Sequence, residues 1–518
     1  MTTDNFNFNP SQKIKVVILG VSALTLLIHL YTNLFAGYGI FRDEFYYIAC
    51  SKRLAAGYVD QPPLSIYILA ISRLIFGVSV FAIRLLPAVT AAFTVYLTGL
   101  ITARLGGKAI AVLIACITLT FSPIFLGMNT FFSMNSFDQL FWVLSTYLTV
   151  RLLQDKKPVF WILIGLAIGF GMLNKISMAW FGAGLFVGLL LTPLRVQLKT
   201  KFPYIAAAIA VIIFLPFVIW NITHDFAHLQ FIENATAYKY SGLTPIDFIT
   251  GQLLYPGPLS VLVWLPGILY LFFNKEAKNY RILGIIFLTT FLILLLNWHT
   301  KAEYLAAAYP IVFVGGGLFW EKVMAGKRTG WLKYAVISLI VLSGIVSMPL
   351  ALPILPVNTF ITYSGELNVG QQNAEHQELA ELPQFYADMF GWEDMARTVS
   401  SVYNTIPDSE KQYTIVFASN YGEAGAVEYY SAKYNLPPVV CPHNSYWYWG
   451  CPSGKKIKTV IVIGGSLEDH RKSCRDVKVA AIHKTEYSMP YENNLPIYIC
   501  RGFLRPLKEI WQASKFFI

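Results

Sequence analysis

Arg42-Asp43-Glu44-Phe45-Tyr46-Tyr47 and, a short loop later, Tyr58-Val59-Asp60-Gln61-Pro62-Pro63-Leu64 stand just after the first apolar run of the chain. Three carboxylates and two prolines at the mouth of a bilayer-length stretch need a chemical reason, because charge beside hydrocarbon is costly and is kept where it has a task. Of the 518 residues, 55% are hydrophobic and 13% charged, about half the roughly 25% charge of soluble chains. The deficit lies in residues 14–355, which hold repeated apolar runs read as long enough to span a bilayer, which takes about 20 residues as a helix. Residues 356–518 have the mixed composition of a soluble segment.

Spans are expected near 15–36, 81–103, 109–127, 131–150, 159–173, 176–194, 203–220, 250–273, 282–297, 303–320 and 334–352, eleven in all. Residues 159–194 also read as one interrupted re-entrant hairpin, and 63–78 as an interfacial helix. The first run lacks a small-residue cleavage site and is expected to be a retained span. Alternate loops carry the basic residues: Lys13 and Lys15; Arg104 and Lys108; Arg151, Lys156 and Lys157; Arg195, Lys199 and Lys201; Lys275, Lys278 and Arg281; Lys322, Lys327, Arg328 and Lys333. The positive-inside rule makes these loops and the N-terminus cytoplasmic, with residues 37–80, 221–249 and the C-terminal segment outside the inner membrane. The net charge of +11 is thereby a topology signal, and nucleic-acid binding is rejected. The expected architecture is a polytopic α-helical membrane module, residues 1–355 with the first outer loop 37–80 included. An extracytoplasmic soluble α/β domain, 356–518, follows it.

Outer basic residues are few: Arg42, Lys52, Arg53, Arg73 and Arg84 near the first loop, with Lys175 and Lys301 at outer span ends. Cations in this zone suit a lipid phosphate headgroup, although Arg73 reads as snorkelling. A carboxylate in a partly dry cavity beside cations suits a general base acting on a hydroxyl. Basic side chains, or a divalent metal held by Asp43, Glu44 and Asp60, suit a departing phosphate. Adjacent helical residues point about 100° apart, so Asp43 and Glu44 are not expected to share one task. Capping of a helix running through Phe45–Leu54 accounts for one of the two acids.

Further motifs follow in order: Ile83-Arg84-Leu85-Leu86-Pro87; Phe121-Ser122-Pro123 before Ser133-Met134-Asn135; Leu173-Asn174-Lys175; Trp220-Asn221 before His224-Asp225; Lys301 before Tyr304 and Ala308-Tyr309-Pro310. Ser419-Asn420-Tyr421-Gly422-Glu423-Ala424-Gly425-Ala426 and His443-Asn444-Ser445-Tyr446-Trp447 follow in the last third. Together with the first loop, this series resembles the bacterial protein-mannosyltransferase-like glycosyltransferases of family 39, multi-span GT-C enzymes related to the lipid A aminoarabinose transferase. The resemblance implies inverting transfer of a sugar from a polyprenyl-phosphate donor to a hydroxyl on a protein, lipid or glycan at the outer membrane face. It implies Asp43 as base, with Glu44 beside it. It implies Lys175, Arg84 and Lys301 as residues for the donor phosphate; Tyr47, Asp60, Gln61, Asn135, Asp138, His224 and Tyr304 are further candidate donor- or acceptor-binding residues. Gln61 stands where the lipid A enzymes carry a phosphate-binding lysine, Tyr46 where they carry arginine, and Asn135 where many relatives have aspartate. These departures argue against copying the lipid A substrate.

His224 and His228, spaced as an i, i+4 pair, are a zinc candidate only if a third ligand joins them; an acceptor or donor contact is the preferred reading. Asn234-Ala235-Thr236 carries no weight as a glycosylation acceptor. No Gly-rich nucleotide loop follows a strand, which agrees with a lipid-linked donor. In the soluble segment, strands are expected at Tyr413–Ala418, Thr459–Ile463 and Ile497–Cys500, and helices at Gln384–Tyr403 and Glu423–Tyr434. Cys441, Cys451, Cys474 and Cys500 allow three pairings in an oxidising exterior, the simplest being Cys441 with Cys451 and Cys474 with Cys500. A four-thiolate zinc site lacks the CxxC spacing. The aromatic run Tyr446–Trp449 suits either sugar stacking or packing at the membrane surface. The alternative function, a transporter or flippase of polyprenyl-linked glycans, calls for internal repeats that the chain lacks.

Overall fold

The structure, a computed structural model, describes residues 9–326, 328–367, 380–450 and 457–518. The chain forms two compact units. The first comprises residues up to Ala36, Phe81–Trp220 and Tyr240–Leu355; the second comprises Gly37–Val80, Asn221–Lys239 and Pro356–Ile518. The first outer loop, expected to belong with the membrane module, therefore packs with the C-terminal segment. Its helix Arg42–Ser51 buries Phe45 among the rings of Trp392, Tyr429 and Tyr430 at 5.9, 5.4 and 6.1 Å.

The first unit is helical. Among the described residues, six helices are long and apolar enough to cross a membrane: Gln12–Phe35, Val80–Arg104, Phe202–Thr223, Glu276–Leu296, Ala302–Met324 and Leu332–Ala351. The number rises to eight if each of two bent pairs counts as one span. These are Met178–Leu191 with Pro193–Lys199, bent by 105°, and Pro245–Leu254 with Pro258–Phe273, bent by 90°. The span expected at 131–150 is helix Met134–Asp155, 22 residues long but more polar than these six, and those expected at 109–127 and 159–173 are shorter helices. Ala109–Thr120 stops before Pro123, which opens a separate helix, Pro123–Met128. Val159–Asn174 is 16 residues, about 24 Å at 1.5 Å per residue, short of a roughly 30 Å hydrocarbon core.

Polar residues inside helix Val80–Arg104 are satisfied locally. Thr94, Thr98 and Thr102 each donate to the carbonyl four residues earlier at 2.8 Å, and Thr90 does the same to Leu86. No hydroxyl on this stripe faces the apolar interior unpaired, as a low-dielectric environment demands.

The second unit is built on a five-stranded mixed sheet: β1 Thr414–Phe417, β2 Val439–Val440, β3 Thr459–Ile463, β4 Cys474–His483 and β5 Leu495–Phe503, in the order β2-β1-β3-β5-β4. β1 runs parallel to β2 and β3, whereas β5 is antiparallel to both β3 and β4. Ile415, Val440, Val460, Val462 and Tyr498 form a small apolar core on it. The helix expected at Gln384–Tyr403 is broken: Gln384–Ala387 and Trp392–Asn404 flank Gly391, whose φ of 85° belongs to the left-handed region and cannot continue a helix. Leu64–Phe76 is the helix expected at 63–78.

Cys474 and Cys500, expected to pair, are thiols on the adjacent strands β4 and β5 and are hydrogen-bonded to each other; Cys441 is also a free thiol. Cys451 lies outside the described residues.

Candidate active site

Helix Arg42–Ser51 separates the tasks of its two acids. Glu44, at the third helical position, turns back to the start of the helix, where the Phe41 N–H donates to Glu44 Oε2 at 2.9 Å. The Glu44 N–H in turn donates to the Phe41 carbonyl at 2.9 Å. Glu44 is fully buried and satisfies an otherwise orphaned donor. One oxygen of Glu44 is thereby tied to the start of the helix. Asp43, on another face, is 30% exposed. Its Oδ1 accepts from the Tyr421 hydroxyl at 2.9 Å and lies 3.6 Å from Arg42 Nε.

The second motif of the loop meets the first through Tyr46, whose hydroxyl donates to Asp60 Oδ1 at 2.7 Å. Burial pushes the Asp60 carboxyl up to about 7; the Tyr46 hydrogen bond opposes this shift and the charge of Asp43 adds to it. Burial, reinforced by Asp43 and Asp60, also holds the Tyr47 phenol well above its ordinary value. Ser445 ties this corner to the domain: its N–H donates to the Tyr46 oxygen at 3.3 Å, and its hydroxyl accepts from the Val59 N–H at 3.0 Å.

Gln61 is fully buried, its carbonyl accepting from the Tyr58 N–H at 3.1 Å and its Oε1 from the Ser65 hydroxyl at 3.4 Å. Its Nε2 is buried without a protein partner. Several cations expected to await a phosphate are already engaged. Lys52 and Arg53 pair with Glu428 at 3.2 and 3.0 Å, and the Arg53 guanidinium covers the Trp449 ring at 4.4 Å. Arg42 donates to the Tyr491 hydroxyl at 2.6 Å and lies 3.8 Å from Asp388.

Asp225 and Phe226, with φ of 53° and 54°, break the chain between the two histidines, and the helix begins only at Ala227. His224 and His228 are therefore not an i, i+4 pair on one helix, and the zinc reading of that spacing is corrected. His224 packs edge-on against Tyr448, 4.8 Å between ring centres. The buried His228 has Nδ1 2.9 Å from the Val59 carbonyl, and burial lowers its pKa. Asp43, Glu44 and Asp60 do not converge either, each facing the different partner given above. Among the described residues no group of three or more His, Cys, Asp or Glu side chains could hold a metal ion.

In the first unit, four of the expected binding residues do come together. Lys175 has an extended backbone at the end of helix Val159–Asn174. Its ammonium donates to Asn135 Oδ1 at 2.8 Å, lies 3.8 Å from Asp138 Oδ2 and sits 5.3 Å from the centre of the Tyr304 ring. Asp138 accepts from the Ser177 hydroxyl at 2.7 Å. Lys301 stands with Glu303 at 3.8 Å and over the Tyr240 ring at 4.7 Å. Arg84 is 1% exposed, and its carbonyl accepts from Asn33 at 3.2 Å.

Two further acids escape the sequence reading. Glu423 and Glu492 are both buried. Glu423 caps helix Tyr421–Tyr434 by accepting from the Ser419 N–H at 2.7 Å, and Glu492 accepts from Asn420 Nδ2 at 2.8 Å. Burial, with mutual repulsion, drives the Glu423 carboxyl well above the usual range, and burial drives that of Glu492 up to about 7. A carboxyl raised on folding contributes stability that is complete below its unfolded value of about 4.5 and is lost as pH rises through about 7. The thermal midpoint of the purified protein is accordingly expected to fall by about 5 °C between pH 5 and pH 8. Glu492→Gln flattens that slope in a fluorescence melt.

Residues 60–220 match the sequence profile of the dolichyl-phosphate-mannose-protein mannosyltransferase family. Over 224 residues the chain is 25% identical to the lipid A galacturonosyltransferase RgtD of Rhizobium johnstonii, covering 42% of this chain and 47% of that protein. The match thus spans about half the length of that curated relative. Solved structures of ArnT from Cupriavidus metallidurans are similar along almost the whole chain. The form bound to undecaprenyl phosphate has a TM-score of 0.59 at 10% identity, covering 94% of this chain and 97% of that one. The apo form has a TM-score of 0.60 at 9% identity, covering 93% and 97%. Along almost its whole length the chain thus has the fold of the ArnT structures, and over residues 60–220 its sequence is similar to the mannosyltransferase profile.

Proposed function

We propose that the chain is an integral-membrane glycosyltransferase that moves a sugar from a polyprenyl-phosphate donor to a hydroxyl acceptor on the outer membrane face. Asp43 is the base. It takes the proton of the acceptor hydroxyl as that oxygen attacks the anomeric carbon. The bond from that carbon to the phosphate oxygen breaks, the polyprenyl phosphate leaves with the electron pair, and the configuration inverts. Lys175, Lys301 and Arg84 bind the donor phosphate. Asn135 and Asp138 hold the ammonium of Lys175 in place, and Tyr304 supplies an aromatic face. The eleven-span topology, with the N-terminus cytoplasmic and residues 356–518 extracytoplasmic, belongs to this reading.

The observation that carries it is the division among the loop acids. Glu44 is consumed as a cap and Asp60 is engaged by Tyr46, while Asp43 stays partly open to solvent with one oxygen fixed. The RgtD and mannosyltransferase relatives are named for sugar transfer, and one ArnT structure holds undecaprenyl phosphate.

The test supplies purified protein in liposomes with radiolabelled polyprenyl-phosphate mannose, galacturonic acid or aminoarabinose, and with cell-envelope extract as acceptor. Label moving into the extract supports the reading. Label that crosses the bilayer still attached to its lipid, with none transferred, overturns it in favour of a transporter. Label that stays in place with every donor also overturns it.

Lys175→Met is expected to raise the donor KM about tenfold and to lower stability by about 3 kcal/mol, because Asp138 is left as a buried charge without its cation. Adding Asp138→Asn restores the thermal midpoint and leaves the donor KM high. Thermal unfolding in detergent separates the two effects.

A further inference from the structure

Tyr421 opens helix Tyr421–Tyr434, and its first turn is fixed from several directions. Asn420 Oδ1 accepts from the N–H groups of Gly422 and Glu423 at 2.9 and 3.0 Å, and the Glu423 carboxylate returns to the Ser419 N–H at 2.7 Å. The ring itself is clamped. Tyr46 lies 4.9 Å from it and His443 4.7 Å, between ring centres, and the Arg42 guanidinium stands 5.5 Å from its centre. Helix Arg42–Ser51 approaches so closely that a Cβ on Gly422 would lie 2.5 Å from Arg42 Cγ, and one on Gly425 would lie 2.8 Å from Phe45 Cβ. A ring held this way has no freedom to swing, so its hydroxyl is directed at Asp43 Oδ1.

We propose that Tyr421 is a positioning residue for the reaction. Its hydroxyl fixes one oxygen of Asp43, which leaves the other turned to the acceptor. This inference rests on Asp43 being the base. The ionisable groups around this carboxylate are Arg42 and Tyr47 on its own helix, Asp60 in the following loop and Tyr421 on the facing helix. A carboxylate oriented by a packed neighbour is pre-organised, and the cost of ordering it is met on folding rather than during the reaction.

The experiment uses the full-length protein in liposomes and whichever polyprenyl-phosphate sugar the wild-type protein turns over. Tyr421→Phe keeps the ring and deletes the hydroxyl. It is expected to lower kcat about tenfold with the donor KM unchanged, and to move the acid limb of the kcat/KM profile to higher pH by about one unit. 3,5-Difluorotyrosine at 421, with a more acidic hydroxyl and nearly the same shape, moves that limb the opposite way. Its pH profile decides the question alone if the phenylalanine variant fails to fold. Wild-type kcat and an unmoved limb in these variants, alongside an inactive Asp43→Asn, overturn the positioning role alone. An active Asp43→Asn overturns the assignment of the base beneath it.

Discussion

Asp43→Asn lowers kcat/KM for sugar transfer by about a thousandfold, within the range that general-base catalysis supplies. The fold survives the change, because an amide oxygen still accepts from the Tyr421 hydroxyl, now 2.9 Å from Oδ1, and the helix cap belongs to Glu44 rather than to Asp43. Donor binding is expected to stay at the wild-type level, since the phosphate contacts are assigned to Lys175, Lys301 and Arg84. Initial-rate kinetics with a binding isotherm for the lipid donor check both halves. A variant that binds donor and retains wild-type turnover sinks the assignment of the base. Glu44→Gln gives the contrast: a loss of stability of about 1 kcal/mol from the weakened cap, with turnover largely kept.

Gly425→Val is the substitution expected to do most damage without touching a reacting group. The added Cβ would meet Phe45 Cβ at 2.8 Å and the Phe45 backbone carbon and oxygen at 2.9 and 3.1 Å. Backbone cannot step aside as a side-chain tip can, so the two helices must part. Replacing glycine in a helix returns up to about 1 kcal/mol of propensity. Overpacking costs about 3 kcal/mol, and the steric term wins. The expected result is a lower thermal midpoint together with loss of turnover, because Tyr421 and Asp43 sit on the two helices that separate. Gly425→Ala shows the same effects in smaller measure. Thermal unfolding followed by a transfer assay on the folded fraction tests this. A valine variant with wild-type stability removes the close helix approach as a structural requirement.

Much of the framework is legible in the chain. The apolar runs locate the helices, and the β-branched stretches at 414–417 and 459–463 mark two strands, because both signals are local. β4 is not legible: Cys-Arg-Asp-Val-Lys-Val-Ala-Ala-Ile-His is an edge strand with three buried positions, so it has no sustained apolar face to read. The break at Gly391 is equally hidden, since a lone glycine within a helical pattern announces a left-handed φ only once neighbouring segments demand it. At the candidate site, Asp43 stands out because acids are out of place beside a membrane span. Tyr421 does not, although its motif is distinctive, because one tyrosine among 30 says nothing of what its hydroxyl reaches. Glu44 shows the converse. Its charge draws attention, and the same charge is explained by the backbone N–H it accepts from at a helix start.

The unit that surrounds Asp43 is assembled from three separate stretches of chain, and the hydrogen bond from Tyr421 closes a separation of 378 residues. At roughly 5–20 residues per second of synthesis, the first loop waits about 20–80 s for that partner. Throughout the interval, Phe45 and its apolar neighbours lack the rings that cover them. If Asp43 is the base, as proposed, it therefore cannot be set in place on a half-made chain, and the order of synthesis itself holds the reaction back until the second unit is complete.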